Sequence, residues 1–198
     1  MRRKSLKEEL LVRVKLPVKA ALLLFRKKSY GPKVFCIGFN KTGTVSIGKS
    51  FETLGYRNSS FNRNLLRKHY ARRDYKAIVE YTAKFDSFSD LPWLKEDVIP
   101  VVDQAFPGSK FVYLTRDEES WKKSFYNWRY KVFGVYPDVD AGWAAFTAHS
   151  EFVREYFRDA PADRFIELDV RDPDGFRRLA EFLGKSTDRK SFPHHNAT

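Results

Sequence analysis

The chain reads as a three-layer α/β sandwich with a mainly parallel central sheet. Two observations predict this. From Val34 onward, short β-rich apolar runs alternate with stretches of helical spacing, the order expected of parallel strands joined by crossover helices. The 198 residues also suit a single core that needs no crosslinks. The strand candidates are Val34–Phe39, Lys84–Phe88, Phe111–Thr115 and Phe165–Leu168. Between them lie the helical faces Ile47/Phe51/Leu54, Leu66/Tyr70/Ala77/Tyr81, Trp143/Phe146/Val153/Phe157 and Phe176/Leu179/Ala180/Leu183. Pro100 should bend or split the helix expected between Leu91 and Phe106. Pro107-Gly108 reads as the turn into the next strand.

Residues 1–30 form a basic arm ahead of a domain spanning 31–198. Pro17 divides the arm into two helical patterns, Leu6/Leu10/Leu11/Val14 and Val18/Ala21/Leu22/Phe25. The net charge of +12 is concentrated in two places: residues 1–28 hold ten Lys/Arg against two Glu, and residues 57–76 hold seven against Asp74. Two local anionic contacts are therefore expected in place of a uniformly basic surface, and nucleic acid is disfavoured as a partner. The arm either packs on the domain or lies peripherally on an anionic membrane through residues 1–28. The longest apolar stretch, Ala20 to Phe25, is too short to cross a bilayer. Glu8 and Glu9 interrupt the basic start that a signal peptide would need, so a cytoplasmic protein is expected. Cys36 is the only cysteine and excludes an intrachain disulfide.

The most informative segment is the strand Val34-Phe35-Cys36-Ile37, which runs into Gly38-Phe39-Asn40-Lys41-Thr42-Gly43-Thr44 before helical spacing begins. A P-loop-type strand–loop–helix of this kind leaves backbone N–H groups pointing at one spot, where the helix dipole favours an anion. Gly43 removes a side chain that would block close approach, Thr42 and Thr44 offer hydroxyls, and Lys41 adds a full charge. Gly43 to Ser50 also matches the triphosphate-loop pattern G-x-x-x-x-G-K-[ST], the basis of an alternative reading as a magnesium-dependent kinase or nucleotidase. Its context argues against it, since Gly48-Lys49-Ser50 would fall in the middle of a helix. A second anion-binding feature is Arg116, at the end of the strand Phe111–Thr115, with Ser120 and Ser124 on one face of the next helix.

Asn40-Lys41-Thr42-Gly43-Thr44 resembles the 5′-phosphosulfate loop of the sulfotransferases that use 3′-phosphoadenosine 5′-phosphosulfate. The likeness extends over Lys33 to Thr44 and Leu54-Gly55-Tyr56. Arg116 and Ser124 repeat the arginine and serine, eight residues apart, of that family's 3′-phosphate site, although its common Asn-Pro is here Asp117-Glu118. His149 in Phe146 to Val153, Phe165 to Asp169, Leu179 to Gly184 and Phe192 to Asn196 resemble later landmarks of the same branch. The resemblance covers residues 33–196. It implies a donor site built from Asn40, Lys41, Thr42, Gly43, Thr44, Val45, Arg116 and Ser124, sulfuryl transfer to a hydroxyl or amine, and no metal. The acceptor would be a small molecule, lipid or carbohydrate.

Lys41 would carry the charge that meets the leaving oxygen. For the base, Ser89-Asp90-Leu91-Pro92 stands where the cytosolic members carry Thr-His-Leu-Pro, which puts Asp90 in the place of a catalytic histidine. Asp90 is alternatively the cap of a helix starting at Leu91, and Glu52 is the other candidate base. His149 and His69 read as core-edge or surface residues. The remaining rival is a non-enzymatic binder of nucleic acid or anionic membrane that uses the two basic patches.

Overall fold

The computed structural model describes residues 27–193. The helical patterns of the arm, its membrane contact and the 194–196 landmark lie outside the described residues. In chain order the elements are β1 (Val34–Cys36), α1 (Thr44–Thr53), β2 (Asn58–Ser59), α2 (Arg63–Lys68), a 3₁₀ turn (Tyr70–Arg72), α3 (Tyr75–Thr82) and β3 (Ser87–Ser89). They continue with α4 (Ile99–Ala105), β4 (Lys110–Leu114), α5 (Glu118–Phe133), α6 (Val139–Tyr156), β5 (Phe165–Leu168) and α7 (Gly175–Phe182).

The five strands form one sheet in the order β2-β3-β1-β4-β5, and every pairing is parallel. Successive side chains of a strand point to opposite faces, and this alternation builds two cores. Phe35, Ile37, Phe111 and Tyr113 face one side, where Ile78 of α3, Val102 of α4 and Val153 of α6 cover them. Val34, Cys36, Val112 and Leu114 face the other, against Ile47 and Phe51 of α1 and Phe176 and Leu179 of α7. Each fully buried side chain of this size contributes about 1.5–3 kcal/mol. Phe35 stands opposite Phe88 and Phe111 in register, with ring centroids 5.0 and 5.2 Å away.

Three expectations shift in the structure. The third strand runs over Ser87–Ser89, not from Lys84, because the N–H groups of Lys84 and Phe85 close α3 on the carbonyls of Tyr81 and Thr82. The helix expected over 66–81 breaks into α2, the 3₁₀ turn and α3. Arg73 is left-handed at φ 55°, and the Asp74 carboxylate caps α3 through Ala77 N–H while holding His69 Nδ1 at 2.8 Å. Pro100 neither bends nor splits a helix. It sits in the first turn of α4, where it has no donor to lose, and residues 91–98 form turns.

This topology positions a site. The connection leaving β1 passes to the face of α1, whereas those leaving its neighbours β3 and β4 pass to the face of α4 and α6. Diverging connections open a crevice over the carboxyl ends of the strands.

Candidate active site

A cavity of about 280 Å³ lies at that crevice, lined by Asn40, Lys41, Gly43, Thr44, Val45, Ser46, Asp90, Arg116, Ser124 and Trp128. Residues from the ends of β1, β3 and β4 and from α5 thus meet, although 88 positions separate Asn40 from Trp128 along the chain.

The turn from β1 into α1 is held from several sides. The Thr42 N–H and hydroxyl both donate to the Phe39 carbonyl, at 3.3 and 2.7 Å. Trp121 Nε1 donates to the Asn40 carbonyl at 2.7 Å, and Arg116 Nη1 donates to the Lys41 carbonyl at 2.7 Å. Lys41 itself is left-handed at φ 69°, an uncommon state for a side-chain-bearing residue that these bonds stabilise. Gly43 begins α1 at φ 111° with no side-chain cap. The first intrahelical bond from that point runs from Ile47 N–H to the Gly43 carbonyl, so the N–H groups of residues 43–46 are left to the cavity they line.

Two expectations for this turn change. The Thr42 side chain is fully buried and serves the turn itself, so it offers no hydroxyl to the cavity. Gly43 is required by the protein, because a Cβ there would lie 2.7 Å from both methyls of Val170, the second residue after β5, and its φ suits glycine.

Lys41 is half-buried, with Nζ 5.7 Å from the centre of the Trp128 ring. Burial, followed by the nearby Arg116 charge, holds its pKa below the ordinary lysine value, and Asp90 opposes the shift. Burial likewise lowers that of Arg116, which donates to the Ser120 hydroxyl and the Lys41 carbonyl, both uncharged. Among the described residues no carboxylate forms an ion pair with either cation, whereas Arg57, Arg154, Arg164, Arg171 and Arg178 all have one. The site is short of negative charge.

Among the described residues Asp90 supplies the only carboxylate lining the cavity. Burial pushes its pKa above the ordinary carboxylate value, against the Leu91 N–H at 2.7 Å, the Thr44 hydroxyl at 3.4 Å and the charge of Lys41. Its backbone stands at φ 152°, a region that side-chain-bearing residues rarely enter. No helix starts at Leu91 for it to cap.

The rejected motif separates from this group. Ser50 is buried, with its hydroxyl on the Ser46 carbonyl, and Lys49 and Glu52 pair at 2.7 Å on the exposed side of α1. Gly48 is a packing residue, since a Cβ there would come within 2.4 Å of Ser89 Oγ. His149 is buried at the edge of the core, with Nε2 2.8 Å from the Ile37 carbonyl, Nδ1 3.5 Å from the half-exposed Glu96 carboxylate and burial holding its pKa down. Burial also raises the Cys36 thiol to about 12, which makes it inert. Trp128 and Ser46 are the lining residues that sequence reasoning missed. Trp128 was accessible to it, because it lies one helical turn beyond Ser124 on the same face of α5.

The model of the sulfotransferase domain matches residues 33–137 and 127–198, which together include the whole cavity. The chain belongs to the sulfotransferase domain family. No curated protein matches it. Solved sulfotransferases share its fold at low identity. One from Mycobacterium avium superposes with a TM-score of 0.54 at 14% identity, over 80% of this chain and 65% of the other, so this sulfotransferase chain spans less than two thirds of that relative. The sulfotransferase domain of a Synechococcus olefin synthase gives 0.52 at 14% identity, over 82% and 76%. A gluconokinase from Sinorhizobium meliloti gives 0.49 at 18% identity, over 79% and 98%. Among the described residues no cluster of three or more His, Cys, Asp or Glu could hold a metal ion, and no helix is long and apolar enough to cross a membrane.

Proposed function

We propose that the cavity binds 3′-phosphoadenosine 5′-phosphosulfate and that the protein transfers its sulfuryl group to a hydroxyl or amine. The observation that carries this reading is the pairing of two unneutralised cations, Lys41 and Arg116, with the uncapped start of α1 in one cavity. Such a site is matched by an anion with two separate charged groups. The N–H groups of residues 43–46, the Thr44 hydroxyl and Lys41 would hold the phosphosulfate end, with Asn40 and Val45 forming the wall. Arg116 and Ser124 would hold the 3′-phosphate.

The bound donor supplies an activated sulfuryl group: its S–O bond to phosphate breaks as a new S–O bond forms to the acceptor, and the acceptor's proton is released. Lys41 meets the negative charge that grows on the departing phosphate oxygen. Half-buried and unpaired, it does so at a lower local dielectric than a surface lysine would. Asp90 takes the proton. Its burial raises its basicity above that of an exposed aspartate, which is what a carboxylate base requires near neutral pH. Glu52 instead pairs with Lys49 on the exposed side of α1, which favours Asp90 for this role. Residues 31–198 would act as one catalytic domain, with the basic arm of 1–30 outside it.

Calorimetry with adenosine 3′,5′-bisphosphate in the presence of a chelator tests the donor assignment, with saturable binding expected. Binding of magnesium–ATP together with failure to bind the bisphosphate would overturn it.

A further inference from the structure

Ten large apolar side chains are exposed among the described residues, and six of them, Tyr126, Tyr130, Val132, Phe133, Val135 and Tyr136, fall within one stretch of eleven. They clothe the last two turns of α5 and the segment that follows. The fully buried residues of α5 are confined to Trp121 and Ser124; beyond them Phe125, Asn127, Trp128 and Arg129 are half-buried, and Tyr126 and the residues from Tyr130 to Phe133 are exposed. Gly134, left-handed at φ 66°, ends the helix and turns the chain back toward α6. Tyr136 is 74% exposed and Val132 60%. The rings meet one another: Tyr130 and Tyr136 lie 5.2 Å apart, and Trp128 and Phe133 meet edge to face at 5.6 Å. An apolar cluster this concentrated marks an interaction surface.

The charges beside it point to the partner. Arg129 and Lys131 lie within the cluster. The Arg129 guanidinium is 5.0 Å from the Phe133 ring, and its Nε is buried without a hydrogen-bond partner. The following carboxylates are engaged, Asp138 in capping α6 and Asp140 in pairing with Lys122. Aromatic rings mixed with cations suit the headgroup layer of an anionic bilayer, where tyrosine and tryptophan settle and arginine and lysine reach phosphates. A second copy seated here about a two-fold axis would instead bring Arg129 and Lys131 toward their own counterparts.

We propose that the tip of α5 docks on an anionic lipid bilayer. Trp128 belongs to both regions, since it lines the cavity beneath Lys41 and touches Phe133 in the cluster. The cavity and the docking surface therefore share the Trp128 side chain as a common wall. Resting on the sulfuryl-transfer reading, this makes the acceptor an amphiphile whose hydroxyl or amine stands at the bilayer surface.

The test is co-sedimentation of the full chain with vesicles of phosphatidylcholine alone and of equal parts phosphatidylcholine and phosphatidylserine. Binding should favour the anionic vesicles. The triple variant Tyr130→Ser, Phe133→Ser, Tyr136→Ser should lower partitioning onto them roughly tenfold or more, and Arg129→Gln with Lys131→Gln should weaken the anionic preference. Should the triple variant be unstable, Tyr136→Ser alone, beyond the helix and largely exposed, should still lower partitioning measurably. Three results would overturn the proposal: no vesicle binding by the unaltered chain, unchanged binding by the variants, which would assign the contact to residues 1–28, or a dimer that the triple variant converts to monomer in light scattering. Bisphosphate affinity measured on the same samples separates the two readings. Lost vesicle binding with intact nucleotide binding is expected of the triple variant, whereas an unaltered chain that docks on vesicles without binding the bisphosphate would sink the donor assignment alone.

Discussion

Lys41 with Asp90, and Lys49 with Glu52, are two lysine–carboxylate couples in one small region. Lys49 and Glu52 stand 2.7 Å apart on the outer face of α1, both about half exposed, and neutralise each other in water. Such a pair is worth about 0–1 kcal/mol. Lys41 and Asp90 feel each other's charge across the cavity but form no ion pair, and burial moves each toward its neutral form. The exposed couple has already spent its charges on each other. The buried couple leaves both charges unpaired at the cavity, and this difference is why Lys41, not Lys49, is the lysine proposed for the chemistry.

The sharpest way to break the contrast is to neutralise each carboxylate. Asp90→Asn should lower sulfate transfer roughly 10²–10⁴-fold, with Glu52→Gln near the original rate, as read from product mass after incubation with donor and an acceptor panel. A silent Asp90→Asn with a damaging Glu52→Gln would move the base to α1. The lysines come next. Lys41→Ala should cost about 10²–10³ in turnover and much less in bisphosphate affinity, while Lys49→Ala stays within about twofold; the triphosphate-loop reading requires the reverse order. Arg116→Ala should weaken bisphosphate binding about tenfold to a few hundredfold, the equivalent of roughly 1–3 kcal/mol. That loss should nearly vanish for a nucleotide without the 3′-phosphate.

The smallest effect concerns stability. The raised pKa of Asp90 means that the folded protein holds its proton more tightly than the unfolded chain does. Stability therefore falls as pH rises from the ordinary aspartate value through the raised one, and the full penalty applies above the raised one. Asp90→Asn should raise the melting temperature at pH 7, by about 2–4 °C for each kcal/mol of that penalty in a chain of this size. The gain should disappear below the ordinary aspartate value, where both states are protonated. Lys49→Ala should shift melting by less at any pH.

Much of this was legible in the sequence because it is local. The turn after β1 follows from an apolar strand, a glycine and the onset of helical spacing, and β5 has the bounds its apolar run suggests. The two-residue β2 was not legible, since Asn58-Ser59 has neither the length nor the apolar character of a strand and forms only by pairing with Ser87-Phe88. The shortened β3 and the broken 66–81 helix depend on single backbone events, the closure of α3 and the left-handed Arg73, which periodicity does not report. In the candidate site, Thr42 was misjudged because hydroxyl direction is set by the turn it stabilises. Val170 was invisible, because nothing in its own neighbourhood signals a contact with Gly43.

That contact has a consequence for biosynthesis. Lys41, Asp90 and Arg116 are all in place along the chain by residue 116, but the methyl groups against which Gly43 closes the turn arrive only with Val170, beyond the last strand of the sheet. A nascent chain therefore carries every proposed charged group of the pocket more than fifty residues before it has the side chain against which Gly43 packs.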